Sequence, residues 1–288
     1  MKVLVTGAAG MLGQAVVPAL EAAGHEALGL DLPELDVTSL DSLRRAVERF
    51  GPAWILHLAA LTKVDGCEAR RDEAFLVNGL GSRNAALAAA GSGAVVLALS
   101  TDYVFDGTAT SPYREYDAAD PQSAYGASKW AGEQAVREVN PRHVIVRTSW
   151  LFGPGGSNFV DVILAQARAG ERLRVVDDQR GSPTFTRDLA QGLLRLVDAA
   201  QYGTYHCTNS GDCTWYDLAA YALERAGLGA PLERSDTASF SRPAKRPAYS
   251  VLGNGFFEHV TGWRMPPWQD AVDRHLAAMA GEPGRNRR

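Results

Sequence analysis

The sequence predicts an α/β fold, a doubly wound parallel sheet with a smaller mixed α/β lobe, and three observations carry that prediction. Short apolar runs alternate with longer helical patterns as far as Thr148, the rhythm of strands joined by right-handed crossovers. The first run, Lys2-Val-Leu-Val-Thr6, feeds Gly7-Ala-Ala-Gly10-Met-Leu-Gly13 and then a helix. The fourth ends on Ser100-Thr101-Asp102, and Tyr125-Gly-Ala-Ser-Lys129 comes shortly after.

Residues 2–6 read as a buried strand because the run is short, apolar and stopped by glycine. Gly7, Gly10 and Gly13 let the backbone turn sharply and approach a pyrophosphate at the helix N-terminus. The spacing is G-x-x-G-x-x-G, not G-x-G-x-x-G, and a tight turn with close helix packing would also explain it. The helix runs to Ala23 and Gly24 closes it. Residues 25–30 form a second strand ending at Asp31, about twenty residues past the loop, where an acid hydrogen-bonds an adenosine ribose. A carboxylate repels a 2′-phosphate, so Asp31 leans towards NAD(H). Asp36 and Val37 come next, placed to line an adenine pocket. Residues 39–50 read as a helix capped by Ser39. The third strand, 54–58, runs into Ala59-Ala60-Leu61-Thr62, small enough for close approach of a cofactor or for simple strand-to-helix packing. An alanine-rich helix, 78–90, precedes the fourth strand, 94–100. That strand delivers Thr101 at its carboxyl end, the side on which ligands of open parallel sheets bind. A Pro- and acid-rich loop, 112–121, leads to the Tyr125 helix, and 143–148 is the fifth strand.

Tyr125 and Lys129 lie four apart, on one face of a helix. A phenol titrates near pKa ~10, and an ammonium beside it favours the phenolate. The pair predicts a reversible proton donor for a carbonyl oxygen, with Thr101 as a hydroxyl donor facing it. Alone, Tyr-x-x-x-Lys also fits a solvated helix face; the glycine loop and Thr101 give it weight. After Ser149 the alternation loosens. Helices are expected at 158–169, 187–199, 215–226 and 268–280, strands at 173–176 and 204–207, a loop at 178–184 and irregular chain at 229–247. The tail, 281–288, reads as disordered. Residues 1–155 are thus a Rossmann-like dinucleotide-binding domain and 156–288 a substrate-binding lobe, parts of 185–208 returning to the sheet.

Hydrophobic residues at 46% and charged residues at 22% are ordinary for a soluble globular protein. A net charge of −4 gives no reason to expect nucleic acid or an anionic membrane as partner. An anionic substrate needs locally placed arginines. Arg180 and Arg246 are the candidates for a diphosphate, exposed salt-bridge partners being the plainer reading. Cys67, Cys207 and Cys213 read as unpaired thiols of a reducing compartment. The histidines are scattered with no His-x-x-x-His, so no metal site is expected. The N-terminus resembles a signal peptide in its apolar run, but regularly spaced glycines interrupt it. The stretch 94–99 is too short to span a bilayer, and a cytoplasmic protein is expected.

Together these residues resemble the extended short-chain dehydrogenase/reductases, and more sharply the dTDP-4-dehydrorhamnose reductase family. The likeness is carried by His57-Leu-Ala-Ala-Leu-Thr-Lys-Val-Asp-Gly-Cys-Glu68, Ser100-Thr-Asp-Tyr-Val-Phe-Asp-Gly107 and Tyr125-Gly-Ala-Ser-Lys129. It continues in Arg147-Thr-Ser-Trp-Leu-Phe-Gly153, Asp178-Gln-Arg-Gly-Ser-Pro-Thr184 and Arg246-Pro-x-x-Ser250. The resemblance implies NADPH- or NADH-dependent reduction of the C4 ketone of a dTDP-6-deoxy-4-ketohexose. In that reading Thr101 polarises the ketone, Tyr125 protonates its oxygen, and Lys129 lowers the Tyr125 pKa and holds the nicotinamide ribose. Gly10, Met11 and Leu12 meet the pyrophosphate, and Asp31, Asp36 and Val37 the adenosine. Ala60, Leu61 and Thr62 continue along the cofactor; Val64, Asp102, Tyr103 and Trp150 face the dTDP-sugar. Tyr249 precedes Ser250 where the family often has Asn. Some members bind Mg²⁺ at a dimer interface through an acidic cluster that has no clear counterpart here, so monomer and homodimer both fit. Two other functions suit the same scaffold: a nucleotide-sugar epimerase or dehydratase, and a non-catalytic NAD(P)-binding regulatory subunit. A dehydratase carries Asp-Glu after the Thr, whereas Tyr103 succeeds Asp102 here.

Overall fold

The computed structural model describes residues 1–281, so the tail read as disordered lies, beyond Gly281, outside the described residues. Five apolar runs become β1 (Lys2–Thr6), β2 (Glu26–Leu30), β3 (Trp54–His57), β4 (Val95–Thr101) and β5 (His143–Thr148), all parallel. Val3, Val5, Leu56, Leu97 and Val144 enter one core cluster. Their neighbours Leu4, Ile55, Val96 and Ile145 enter another. A strand buried on both faces needs this unbroken apolar run instead of alternation.

The crossovers are α1 (Gly13–Ala22), α2 (Leu40–Phe50), α3 (Val64–Ala69), α4 (Arg71–Ala74), α5 (Gly81–Ser92) and α6 (Ala124–Val139). Ser39 caps α2 by accepting from the Ser42 N–H at 3.2 Å, and left-handed Gly51 ends it. The sequence reading starts the alanine-rich helix at Asn78, but after the short helix Val64–Ala69 and a break at Arg70 the helical path runs from Arg71 through a π turn, Phe75–Leu80. Asn78 is the reason. Its buried amide accepts from the Leu61 N–H at 2.8 Å and donates to the Leu61 carbonyl and the Ser128 hydroxyl. Such a wide turn recurs where a side chain serves a site.

Beyond β5 come β6 (Leu151–Phe152), α7 (Phe159–Arg168), β7 (Leu173–Val176), β8 (Arg180–Gly181), β9 (Thr184–Phe185) and α8 (Thr186–Ala199). β10 (Gly203–His206) then joins the sheet parallel to β5, giving the order β10-β5-β4-β3-β1-β2. The order reverses between β1 and β3, and a crevice opens there at the carboxyl ends. α8 packs on α1, its Leu189, Leu193 and Val197 sharing the first core.

The chain ends with β11 (Cys213–Thr214), α9 (Trp215–Arg225), β12 (Leu232–Ser235), α10 (Gly255–Thr261) and α11 (Trp268–Gly281). α7, α9 and α11 enclose a separate core of Val160, Leu164, Leu218, Ala222 and Val272. β12 falls within the stretch read as irregular; it is ordered by parallel pairing with β7, far back in the chain. Among the described residues no helix is long and apolar enough to cross a membrane, and the three cysteines are free and buried.

Candidate active site

A cavity of about 650 Å³ opens at the carboxyl ends of β1, β3, β4 and β5. One end is built by the glycine loop. Gly7 has φ 71°, and a Cβ there would stand 2.6 Å from the Ala59 nitrogen; one at Gly13 would stand 2.4 Å from the Gly7 oxygen. Only bare backbone lets the loop, the chain after β3 and α1 meet this closely. The Met11 and Leu12 N–H groups donate to no other group among the described residues. They stand at a helix N-terminus, where free donors and the helix dipole favour an anion. The cradle thus fits a dinucleotide pyrophosphate.

Asp31 also lines the cavity. Its carboxylate accepts from the Ala9 N–H at 3.0 Å and the Leu32 N–H at 2.9 Å, bracing the glycine loop. Asp36, Val37, Ala59, Ala60 and Thr62 line the same end. Leu61 does not. With its backbone held at both ends by Asn78, its side chain packs with Cys67, Ala74 and Ala124 instead.

At the other end Thr101, Asp102, Tyr103, Tyr125, Lys129, Val64 and Trp150 come together, though they arise from five separate elements or connections. Ser123 caps α6 by accepting from the Gly126 N–H at 3.1 Å, which sets Tyr125 in its first turn. The Tyr103 ring meets the Tyr125 ring edge-on, centroids 5.7 Å apart. The Thr101 hydroxyl donates to Asp102 Oδ1 at 3.0 Å and accepts from the Tyr103 N–H at 3.2 Å. Its one hydrogen is therefore engaged, and polarising a ketone requires it to swing away from Asp102. Burial raises Asp102 to about 6. Ser250 lies near enough to pull against that shift, yet Asp102 Oδ2 and Ser250 Oγ both fall outside hydrogen-bond geometry.

The electrostatics correct one expectation. Burial pushes the Tyr125 phenol up, Thr101 opposes, and Asp102 and Cys67 add to the rise; Lys129 is not among the groups that move it. Taking a phenolate out of water costs more than these neighbours return. Burial instead lowers Lys129 itself to about 8, against the Glu133 carboxylate one turn on. Burial, helped by Lys129, also holds His57 at about 3, with Nδ1 2.9 Å from the Thr6 hydroxyl and Nε2 unpartnered. Tyr125 is thus kept protonated, the form a proton donor needs.

Arg180 and Arg246 do not line the cavity. Arg180 is spent on Asp212, and Arg246 reaches Asp65 at 2.9 Å, in a small hollow beyond Tyr103. Acids distant in sequence engage both guanidinium groups, and Arg246 Nη1 stays buried without a partner among the described residues. The sequence reading also misses Trp215, Val77 and Leu218 as lining residues. Nothing local marks Trp215, whose position at the start of α9 reads as core. Glu133 does carry a signal, because it continues the four-residue stripe of Tyr125 and Lys129. Among the described residues no three His, Cys, Asp or Glu side chains gather as a metal would require.

A family model described as the RmlD substrate binding domain matches residues 1–280. A dTDP-4-dehydrorhamnose reductase of Streptomyces griseus is 42% identical, over 98% of this chain and 95% of its own. A dTDP-4-keto-6-deoxy-D-glucose reductase of Streptomyces niveus is also 42% identical, over 93% and 94%. The crystal structure of dTDP-4-dehydrorhamnose reductase from Bacillus anthracis in complex with NADP aligns with a TM-score of 0.94 at 36% identity, covering 96% of this chain and 99% of that one. With near-complete coverage by both family model and relatives, this chain belongs to the dTDP-4-dehydrorhamnose reductase family.

Proposed function

We propose that the protein reduces the C4 ketone of a dTDP-6-deoxy-4-ketohexose with NADPH or NADH, in nucleotide-sugar biosynthesis. One observation carries the reading: a protonated, half-buried phenol shares a single cavity with a helix N-terminus whose amide donors are free. The chemistry that bound NAD(P)H supplies is hydride transfer to the carbonyl carbon. The chain supplies everything around that event. Met11 and Leu12 hold the pyrophosphate, and Asp31, Asp36 and Val37 the adenosine. Thr101, released from Asp102, donates to the ketone oxygen, and Tyr125 gives that oxygen its proton as negative charge develops. Lys129, one turn further along α6, holds the nicotinamide ribose.

The direct test is oxidation of NADPH and NADH with dTDP-6-deoxy-L-lyxo-4-hexulose, the product being identified by NMR. Stoichiometric consumption of the dinucleotide with one new alcohol is expected. Turnover without net oxidation would turn the assignment to an epimerase or dehydratase.

Lys129 sets a pH dependence. With its pKa lowered to about 8, it is cationic below that value and loses its charge above it. NADPH affinity is expected to weaken as pH rises through about 8. Lys129→Met is expected to bind NADPH more weakly below that value and to show no such alkaline limb. Calorimetric titrations across that range check both, and an identical limb in the variant would assign it to another group.

A further inference from the structure

Trp150 takes a left-handed backbone, φ 48°, which a bulky residue rarely adopts. Two neighbours grip its indole. Trp215 stacks on one face, centroids 3.5 Å apart and 6° from parallel. On the Gly181 side, an added Cβ would stand 2.5 Å from Trp150 Cε2 and 2.7 Å from both Cζ2 and Nε1. Similar distances to three joined atoms place that point above the ring rather than at its rim, and Trp215 leaves only the opposite face.

The backbone around the indole is tied as well. The Thr184 N–H donates to the Trp150 carbonyl at 3.2 Å, and Leu151 pairs with Thr184. Gly181 pairs with Cys213, beside the Thr214 cap of the helix that begins with Trp215. Trp215 is anchored in turn, its Nε1 donating to Gln179 at 3.2 Å with Phe159 against its ring. Gln179, Gly181 and Thr184 all belong to the stretch 178–184, whose arginine is turned to Asp212.

We propose that Trp215 and Gly181 are positioning residues for the sugar nucleotide: they clamp Trp150 into the wall of the cavity. The stretch 178–184 exists to build that clamp instead of binding a diphosphate through Arg180. Both indoles line the cavity, and a strained backbone at such a place persists only where its surroundings over-determine it. Without either jaw Trp150 relaxes and the sugar side loses its shape, while the glycine-loop end is untouched. The proposal rests on reading the cavity as a nucleotide-sugar site.

The test uses the full chain and the variants Trp215→Ala, Trp215→Phe and Gly181→Ala, each checked for folding by thermal melting. Trp215→Ala and Gly181→Ala are expected to raise KM for dTDP-6-deoxy-L-lyxo-4-hexulose by ~10-fold or more, with the KM for NADPH moving less than ~2-fold. Trp215→Phe, which still fills the face with a flat ring, restores most of the loss. An unchanged sugar KM in Trp215→Ala, equal rises in both KM values, or a Phe variant no better than Ala would overturn the clamp. Calorimetric titration with dTDP-L-rhamnose separates this from the catalytic reading. A wild type that binds it without reducing the ketosugar refutes the reductase while the variants still test the clamp. A wild type that does neither refutes both.

Discussion

Tyr125→Phe is expected to lower kcat by ~10²–10⁴-fold, the span that a lost general acid covers, while NADPH binds nearly as before. The phenol is half-buried at the cavity wall, and the desolvation it meets there holds its proton on at neutral pH. Phe fills the same space and keeps the edge-on contact with Tyr103, so the loss falls on chemistry and not on packing. Stopped-flow single turnovers with saturating NADPH and ketosugar measure the step directly. An undiminished rate would transfer the proton to another donor, Thr101 being the neighbour within reach. Giving up the proton leaves a phenolate in a site that resists ionisation, so Tyr125 regains a proton before the next turnover.

The second large effect is on stability. Glu133→Ala is expected to cost ~3–5 kcal/mol, because it leaves a buried cation without its partner. Arg147 is 2% exposed and donates to both Glu133 oxygens, at 2.9 and 2.8 Å; Arg137 and the Ser100 hydroxyl add bonds of 2.7 and 2.5 Å. Burial works against ionisation of Glu133, and these donors overcome it, lowering its pKa on balance. A lowered carboxylate contributes stability above its unfolded pKa and loses it as pH falls through the folded value. Urea unfolding at pH 7 and below pH 4 therefore checks both the size and the sign. Wild type and variant should differ strongly at neutral pH and converge in acid. A neutral-pH difference below ~1 kcal/mol would place the pair among the weak surface bridges. The network also reaches the site, since Ser100 precedes Thr101 and Glu133 bears on Lys129.

The sheet and the glycine loop are legible in the sequence because their signals are local. A strand buried on both faces must be apolar throughout, and a loop pressed against a helix start must be glycine. Thr101, Tyr125 and Lys129 can be placed for a similar reason, through strand direction and helix period. The two arginines cannot. Whether a guanidinium faces a cavity depends on which acids the fold brings to it, and Asp65 reaches Arg246 from the opposite end of the chain. The Tyr125 electrostatics escape the sequence for a related reason: spacing shows that a cation is near but not how dry the phenol is. The π turn at Phe75–Leu80 likewise results from what Asn78 holds across the fold, a tertiary demand that no helical periodicity records.

The late arrival of β10 bears on how the protein is made. While the ribosome is still adding residues 149–202, β5 has no neighbour on its outer side, and an open strand edge invites pairing with other nascent chains. α1 likewise waits for α8, made just before β10, to cover it. A fragment ending at 155 would carry both exposures permanently, so residues 1–155 are expected to stay soluble only when made together with the rest of the chain. Soluble expression then depends on translation running through His206 without a long pause.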